Sequence, residues 1–297
     1  MRMNMDAVCS ISRSGIDQPR LQRRAMLKRI LSAILGNEIS QRGLQFIVFV
    51  AQYFMGIGSG SSVDSSGESA VFKMLAQRKL PPYCIFDVGA NQGQFLESAL
   101  SNLSDGAQIH AFEPASETFR LLSKNTGNNP GVILNNFGMG KEPGSFELFY
   151  DKEGSGLASL TSRRLDHFDI KFSQSENVTL DTIDNYCALR NIDQIDLLKI
   201  DVEGHELDVL AGATGMLGSG RIGMVMFEFG GCNIDTRTFF QDFYYLFTGN
   251  GMSLFRISPS GYCCPVRAYS ELLEQFRTTN FLALRDDLST ALPATDN

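Results

Sequence analysis

The sequence has few of the residues from which a structural metal site is usually built. It contains three histidines, and its six cysteines form no Cys-x-x-Cys pair, so a zinc site with the usual ligand spacing is not expected. The adjacent Cys263 and Cys264 could bond to each other only under strain. Free thiols indicate a reducing compartment, and we therefore expect a cytoplasmic protein.

Basic residues are also fewer than acidic residues in this sequence. The chain has 26 Lys and Arg against 33 Asp and Glu, which gives a net charge of −7. A general nucleic-acid-binding protein would carry a basic surface, so the charge balance argues against that class. The charge is unevenly spread, because residues 1–42 hold eight basic and three acidic residues. The basic beginning of the chain can therefore behave differently from its acidic remainder.

The sequence lacks a hydrophobic run long enough to span a bilayer. The best candidate, residues 43–58 (GLQFIVFVAQYFMGIG), is interrupted by Gln45 and Gln52 and is shorter than the ~20 apolar residues that a spanning helix needs. We expect a buried helix here, with membrane contact as the alternative.

Residues 20–35 have the apolar periodicity of an amphipathic helix. The stripe consists of Leu27, Ile30, Leu31, Ile34 and Leu35. Basic residues lie away from much of this stripe, so the segment either packs on the main domain or lies on an anionic membrane. We favour packing, and the protein is expected to be cytoplasmic or membrane-peripheral.

The rest of the chain alternates strand and helix patterns, which predicts a doubly wound, mostly parallel α/β sheet. The predicted strands are residues 84–89, 108–113, 131–137, 195–201, 223–229, 252–257 and 280–285. An insertion between the third and fourth strands is predicted to form a hairpin (residues 145–150 and 177–180) around a lid loop, 151–176. The predicted domains are an N-terminal helical extension (1–58), a Gly/Ser-rich linker with a lead-in helix (59–80), a catalytic domain (81–288) and a tail (289–297).

The ends of the first two strands predict a nucleotide-type cofactor site, because ligands bind beyond the carboxyl ends of such strands. The first strand runs into a glycine loop (DVGANQG), and the second ends in Glu113, whose carboxylate can accept both hydroxyls of a ribose. A dinucleotide site would require glycine where Asn91 and Gln94 stand. An acid at Asp87 suits a cationic ligand such as the methionyl end of S-adenosylmethionine. The predicted cofactor-binding residues are Asp87, Gly89, Ala90, Asn91, Gly93, Glu113, Asn136 and Phe137.

The fourth strand continues into KIDVEGHE, which brings ionisable side chains to the same edge of the sheet. Strand periodicity places Lys199, Asp201 and Glu203 on one face. One hypothesis is that His205 acts as a general base assisted by Asp201 or Glu203. Another is that the acids only pair with Lys199 and cap a helix.

A third hypothesis assigns a divalent cation, such as Mg²⁺, to this edge. Asp201, Glu228 and Asn233 would supply the oxygen ligands that hard cations prefer. The lid loop carries Arg163, Arg164, His167 and Lys171, a basic cluster that could hold a phosphate or carboxylate of the acceptor.

Four segments, IFDVGANQGQF, HAFEP, VTLDTIDNY and IDLLKIDVEGHELDVLAGA, resemble the FkbM family of S-adenosylmethionine-dependent methyltransferases. The resemblance covers roughly residues 81–286. It implies a seven-stranded class I methyltransferase sheet, Rossmann-like, whose last strand is antiparallel. It also implies O-methylation of a sugar, glycolipid or secondary metabolite, with Asp201 near the transferred methyl group. It does not fix a catalytic base.

Two other functions remain open from the sequence. One is an NAD-dependent oxidoreductase on the same type of sheet, and the other is a catalytically silent, membrane-associated binding protein. The expected partner of the enzyme is a small-molecule hydroxyl acceptor, and a homo-oligomer is also left open.

Overall fold

A computed structural model of the chain describes residues 18–60, 66–103 and 106–289. Cys9, part of the Gly/Ser-rich stretch and nearly all of the predicted tail lie outside these residues. The chain divides into two compact units, Met1–Ala51 and Gln52–Asn297. The domain boundaries predicted from the sequence stay a prediction.

The described elements follow the predicted alternation of strands and helices. The strands are β1 Tyr83–Val88, β2 Ala107–Phe112, β3 Val132–Asn135, β4 Gly138–Met139, β5 Gly144–Tyr150, β6 Gln174–Asp181, β7 Ile195–Ile200, β8 Ile222–Phe229, β9 Met252–Ile257, β10 Cys263–Val266 and β11 Thr279–Arg285. The helices are α1 Gln18–Leu35, α2 Glu38–Phe54, α3 Ser69–Arg78, α4 Gln94–Asn102, α5 Ser116–Thr126, α6 Ile183–Arg190, α7 Glu206–Ala211, α8 Thr214–Gly218, α9 Cys232–Thr236, α10 Phe240–Gly249 and α11 Asp286–Ser289.

The main sheet has the strand order β10-β9-β11-β8-β7-β1-β2-β3 among the described residues. The five neighbouring strands β8, β7, β1, β2 and β3 are parallel to one another. Strand β11 runs antiparallel to β8 and β9. The predicted fold class is therefore confirmed. The sheet has one strand more than predicted, because the short β10 pairs with β9 at the edge.

Alternate side chains of the central strands enter two separate cores, one on each face of the sheet. Phe86 and Leu198 belong to the core that α6, α7 and α10 cover. Ile85 and Leu197 belong to the opposite core, which α3 and α4 cover. Helices on both faces are what a doubly wound sheet requires.

The insertion between β3 and β7 forms a small second sheet with the order β4-β6-β5. Strands β5 and β6 pair antiparallel, which confirms the predicted hairpin. The loop between them, residues 151–173, is called the lid below. Backbone hydrogen bonds in both directions between Phe149 and Ser159 fold the start of the lid back against β5.

The helix around residues 43–58 differs from its prediction. It is α2, and no residue of this fully described helix is buried. The prediction of a buried helix is therefore wrong, because an apolar composition does not itself provide a partner surface. Within the described part of the chain, no helix combines the length and apolarity needed to cross a membrane.

Candidate active site

The glycine loop after β1 lies against the ends of the neighbouring strands. Gly89 has φ +79, and a Cβ there would overlap the carbonyl oxygen of Asp201 at the end of β7. Its amide and that of Ala90 both donate to the Phe112 carbonyl at the end of β2, at 3.0 Å. Gly93, with φ +99, begins α4. Glycine at position 89 is therefore required by both backbone conformation and space.

Glu113 is buried beside this loop, as the parallel register of β1 and β2 requires. Its carboxylate accepts hydrogen bonds from the amides of Asn91 (3.0 Å) and Ala115 (2.9 Å). Burial raises its pKa to about 7, although these two hydrogen bonds oppose the shift. The carboxylate is thus fixed at the ligand-binding edge of the sheet.

Asp87, predicted to contact the cofactor, lies behind the glycine loop and lines neither of the two cavities described below. It is fully buried and forms an ion pair with Lys199 at 3.3 Å. The Lys199 ammonium also lies 3.4 Å from the Asp201 carboxylate and donates to the Gly89 carbonyl at 3.1 Å. Burial alone would lower the pKa of Lys199, but these carboxylates outweigh it and raise that pKa above its usual value. The Lys199 ammonium therefore links the glycine loop to the end of β7.

His205 is held between a carboxylate and the lid. Its Nδ1 lies 2.8 Å from Asp208 Oδ2, and its Nε2 lies 2.9 Å from Thr161 Oγ1. If Nδ1 carries the proton that Asp208 accepts, Nε2 is the free base that accepts from Thr161. Asp208 was missed by the sequence reasoning, although its i+3 spacing from His205 at a helix start is a readable signal.

Polar contacts connect the lid to the loop after β7 and to α9. Arg163 pairs with Glu203 and, at 3.4 Å, with Asp235. The Ser159 hydroxyl donates to the Glu203 carbonyl at 2.8 Å. Burial and the Asp201 charge raise the pKa of Glu203, while Arg163 opposes the shift. Two of the four residues of the predicted basic cluster are thus paired with carboxylates, since the exposed Arg164 also pairs with Asp166.

One of the proposed cation ligands, Asn233, is already hydrogen-bonded within the protein. The Asn233 side chain accepts from the Gly230 amide at 2.8 Å and donates to Thr238 Oγ1 at 2.8 Å. Burial raises the pKa of Glu228 well above its usual value, and the Asp201 charge adds to this. Among the residues that the structure describes, no group of three or more His, Cys, Asp or Glu is arranged to hold a metal.

One cavity is lined both by predicted cofactor-binding residues and by His205. Glu113 and Asn91 line one part of it, and Asp201, Glu203 and His205 line another. Apolar walls are supplied by the second sheet and the lid, through Met139, Leu148, Leu160 and Leu180. The sequence reasoning missed these wall residues, because their positions depend on how the insertion folds.

A second cavity adjoins the first at the glycine loop. It shares Gly89, Asn91 and Asp201 with the first cavity and adds Ala90 and Lys199. Asn91 has φ +48, and its buried Oδ1 has no hydrogen-bond partner among the described residues. Asn91 lines both cavities, and a buried acceptor without a partner is unusual in a folded protein.

Asn136 and Phe137, also predicted to contact the cofactor, line neither cavity. The Asn136 amide donates to the Glu113 carbonyl at 3.0 Å. The Phe137 ring packs against Phe112 at a centroid distance of 5.7 Å. The strand ends at Asn135, so these two side chains support the end of β2.

Comparison with known proteins identifies a family for the central part of the chain. The family model described as the methyltransferase FkbM domain matches residues 87–251. This range is more than half of the chain and includes the glycine loop and the KIDVEGHE segment. A solved structure, the precorrin-6y C5,15-methyltransferase from Geobacter metallireducens, aligns at 12% identity with a TM-score of 0.38. The alignment covers 73% of this chain and 87% of that one, and the fold class follows from the strand order itself.

Two curated relatives are also similar in sequence. The hexuronic acid methyltransferase AglP of Haloferax volcanii is 30% identical over 159 residues, which are 52% of this chain and 60% of the relative. The 2-O-methyltransferase NoeI of Sinorhizobium fredii is 26% identical over 142 residues, which are 44% of this chain and 58% of the relative. The matches thus span less than two thirds of either relative.

Proposed function

The chain belongs to the FkbM methyltransferase family, and we propose that it transfers a methyl group from S-adenosylmethionine to a hydroxyl of a sugar-containing acceptor. The observation that carries the proposal is that one cavity is lined by Glu113 and Asn91 in one part and by His205 in another. The proposed cofactor site and the proposed base would therefore face the same space. The acceptor class is supported by two relatives, whose names specify a hexuronic acid and a 2-O position.

The residues around the glycine loop fit an adenosyl cofactor. The buried Glu113 carboxylate would accept hydrogen bonds from the two ribose hydroxyls, in competition with its present backbone donors. The orphaned Oδ1 of Asn91 would accept from the cofactor's polar end. Gly89 lets the chain turn where any side chain would collide with β7. Bound S-adenosylmethionine supplies an activated, electrophilic methyl group.

The protein's own part of the reaction is alignment and proton removal. The acceptor hydroxyl would replace the Thr161 hydroxyl as the hydrogen-bond partner of His205 Nε2. Nε2 would then take the proton of the acceptor hydroxyl. Asp208 would hold the imidazole in the required tautomer and stabilise its charged form. Glu203 would act as the anchor of the lid through Arg163.

Calorimetric titration tests the cofactor part of the proposal. Wild-type protein is titrated with S-adenosylmethionine and with NAD, and Glu113→Ala is compared with Glu117→Ala, whose side chain is partly exposed on α5 and pairs with Arg120. We expect S-adenosylmethionine to bind, Glu113→Ala to weaken that binding and Glu117→Ala to leave it unchanged. Binding of NAD alone would instead support an oxidoreductase.

Isotope transfer tests the reaction. The protein is incubated with methyl-labelled cofactor and a panel of uronic acid and neutral sugar glycosides, and products are analysed by mass spectrometry. We expect label in an O-methyl group of at least one glycoside and its loss with His205→Ala. Cofactor binding without transfer to any hydroxyl of the panel would contradict the acceptor assignment.

A further inference from the structure

The first two helices differ in character from the remainder of the described chain. α1 contains five basic residues and no acid: Arg20, Arg23, Arg24, Lys28 and Arg29. α2 has one acid and one base near its start, Glu38 and Arg42, which pair with each other at 2.8 Å. Its remaining residues, 43–54, carry no charge. Basic and apolar character are thus segregated on consecutive helices.

The connection between these helices is tightly hydrogen-bonded. Asn37 donates to the Ile34 carbonyl at 2.8 Å and accepts from the Ser40 amide at 3.0 Å. Gln41 donates from its side chain to the Leu35 carbonyl at 2.9 Å. Side chains from the start of α2 thus satisfy carbonyls at the end of α1, which otherwise lack partners. The basic helix and the apolar helix are therefore joined by a defined turn.

The apolar side chains of α2 are exposed along one broad face of the helix. Phe46, Ile47 and Val48 are 68%, 62% and 53% exposed, respectively. Consecutive helical residues point about 100° apart, so these three span roughly 200° of the circumference. Gln45 and Gln52 lie on the remaining, polar side. A broad exposed apolar face opposite a polar face is typical of helices that lie in the plane of a membrane interface.

We propose that α1 and α2 anchor the protein to an anionic lipid bilayer, with α2 lying in the plane of the interface, its apolar face in the acyl region and the basic residues of α1 at the lipid headgroups. The last turn of α2 stays beside the sheet, because Gln52 bonds to Gln275 at 2.8 Å and the Met55 carbonyl accepts from Arg256 at 2.8 Å. An in-plane position meets this constraint, whereas end-on insertion would carry one end of the helix deep into hydrocarbon. The cations of α1 supply the attraction to anionic headgroups that an apolar helix alone lacks.

Vesicle flotation of the full chain tests the anchor. We expect the protein to float with phosphatidylcholine vesicles that contain phosphatidylglycerol, and to bind less at high salt and to pure phosphatidylcholine. Phe46→Glu should weaken the partition by roughly tenfold or more, since a charge is expensive in hydrocarbon. Leu189→Glu is the matched control, because Leu189 is a 71% exposed apolar residue on α6, and it should bind as the wild type does.

The headgroup contribution is tested separately with Arg23→Gln and Arg24→Gln. Each substitution should weaken binding to the anionic vesicles by roughly fivefold and leave residual binding to neutral vesicles unchanged. Unaltered circular dichroism in all variants shows that the fold is retained.

Insertion depth can be measured directly because the chain contains no tryptophan. Phe46→Trp introduces a single fluorophore, which lipids brominated on their acyl chains should quench, whereas the Trp of Leu189→Trp should remain unquenched. Failure of the wild type to float with anionic vesicles, wild-type flotation by Phe46→Glu, or an unquenched Trp at position 46 would each overturn the proposal. So would a lipid-independent dimer, found by sedimentation velocity, that Phe46→Glu dissociates without any vesicle binding by the wild type.

Discussion

Replacing Glu113 with Gln is expected to weaken cofactor binding while removing a pH-dependent part of the folding free energy. Hydrogen bonds to a charged acceptor contribute about 1.5–3 kcal/mol each. If the ribose hydroxyls use the Glu113 carboxylate, neutralising it should raise the Kd for S-adenosylmethionine by roughly 10- to 100-fold. The effect should be largest above pH 7, where the wild-type carboxylate is ionised.

The stability effect follows from the raised pKa of Glu113. Burial shifts this pKa from 4.5 to about 7, against the opposing hydrogen bonds from Ala115 and Asn91. Between these two values the folded protein binds more protons than the unfolded chain, so its free energy of unfolding falls as pH rises. The full shift corresponds to an upper limit of about 3 kcal/mol. Gln does not titrate. Between pH 4.5 and 8, the free energy of unfolding of Glu113→Gln should therefore rise relative to that of the wild type by up to this amount.

Urea unfolding followed by circular dichroism at several pH values measures this difference, with Glu117→Gln as the control. The pKa of Glu117 is lowered by its hydrogen bond with Arg120, so its contribution has the opposite sign. Weaker hydrogen bonds from the Asn91 and Ala115 amides to the side chain that replaces Glu113 would change the free energy of unfolding by the same amount at every pH. The pH trend would therefore stay unchanged. A Glu113→Gln difference that is independent of pH, together with an unchanged Kd, would refute the reasoning.

Three further predictions concern catalysis, the glycine loop and the cation. His205→Ala should lower kcat by roughly 10²- to 10⁴-fold with an unchanged Kd for the cofactor, and Asp208→Asn should lower kcat less. Steady-state kinetics measures kcat and calorimetry measures Kd. An unchanged kcat of His205→Ala would exclude His205 as the base. Gly89→Ala should destabilise the protein by more than about 2 kcal/mol, because it combines a positive φ with a backbone collision. Gly251→Ala, with φ +68 but no heavy atom within 4 Å, should cost about 1–2 kcal/mol, and equal losses in urea unfolding would contradict the collision argument. Dialysis against EDTA should leave the rate unchanged, since Asn233 is occupied by internal hydrogen bonds; a loss that Mg²⁺ restores would show that a cation is used.

The sheet could be predicted because its inner strands are short apolar runs separated by helical segments. Leu197 and Leu198 point into opposite cores, so both faces of β7 had to be apolar. β10 was not predictable in the same way. Its four residues, CCPV, include a proline that cannot donate to a sheet ladder, and the strand forms only by pairing with β9 at the edge.

Part of the site followed from sheet geometry, since the ends of adjacent parallel strands share one edge. This reasoning placed Glu113 beside Gly89. It did not place Asn136, because the chain leaves the strand at Asn135 and turns the next side chain toward the Glu113 carbonyl. Met139 and Leu160 could not be anticipated, since they reach the cavity through the second sheet and the lid.

The surroundings of α2 were also beyond the reach of the sequence. Residues 43–58 are apolar enough to be buried, but periodicity describes only the helix itself. Whether Phe46 meets a protein core, a partner or lipid depends on surfaces that are distant in the chain. Exposure of this side chain is a property of the folded structure.

A crystal structure of the protein with S-adenosylhomocysteine tests the central claim most directly. The account predicts both ribose hydroxyls within about 3.2 Å of the Glu113 carboxylate oxygens and a polar cofactor atom within hydrogen-bond distance of Asn91 Oδ1. It also predicts that the sulfur faces the part of the cavity that His205 lines. Binding of the ligand at another place, or a ribose held without Glu113, would contradict it.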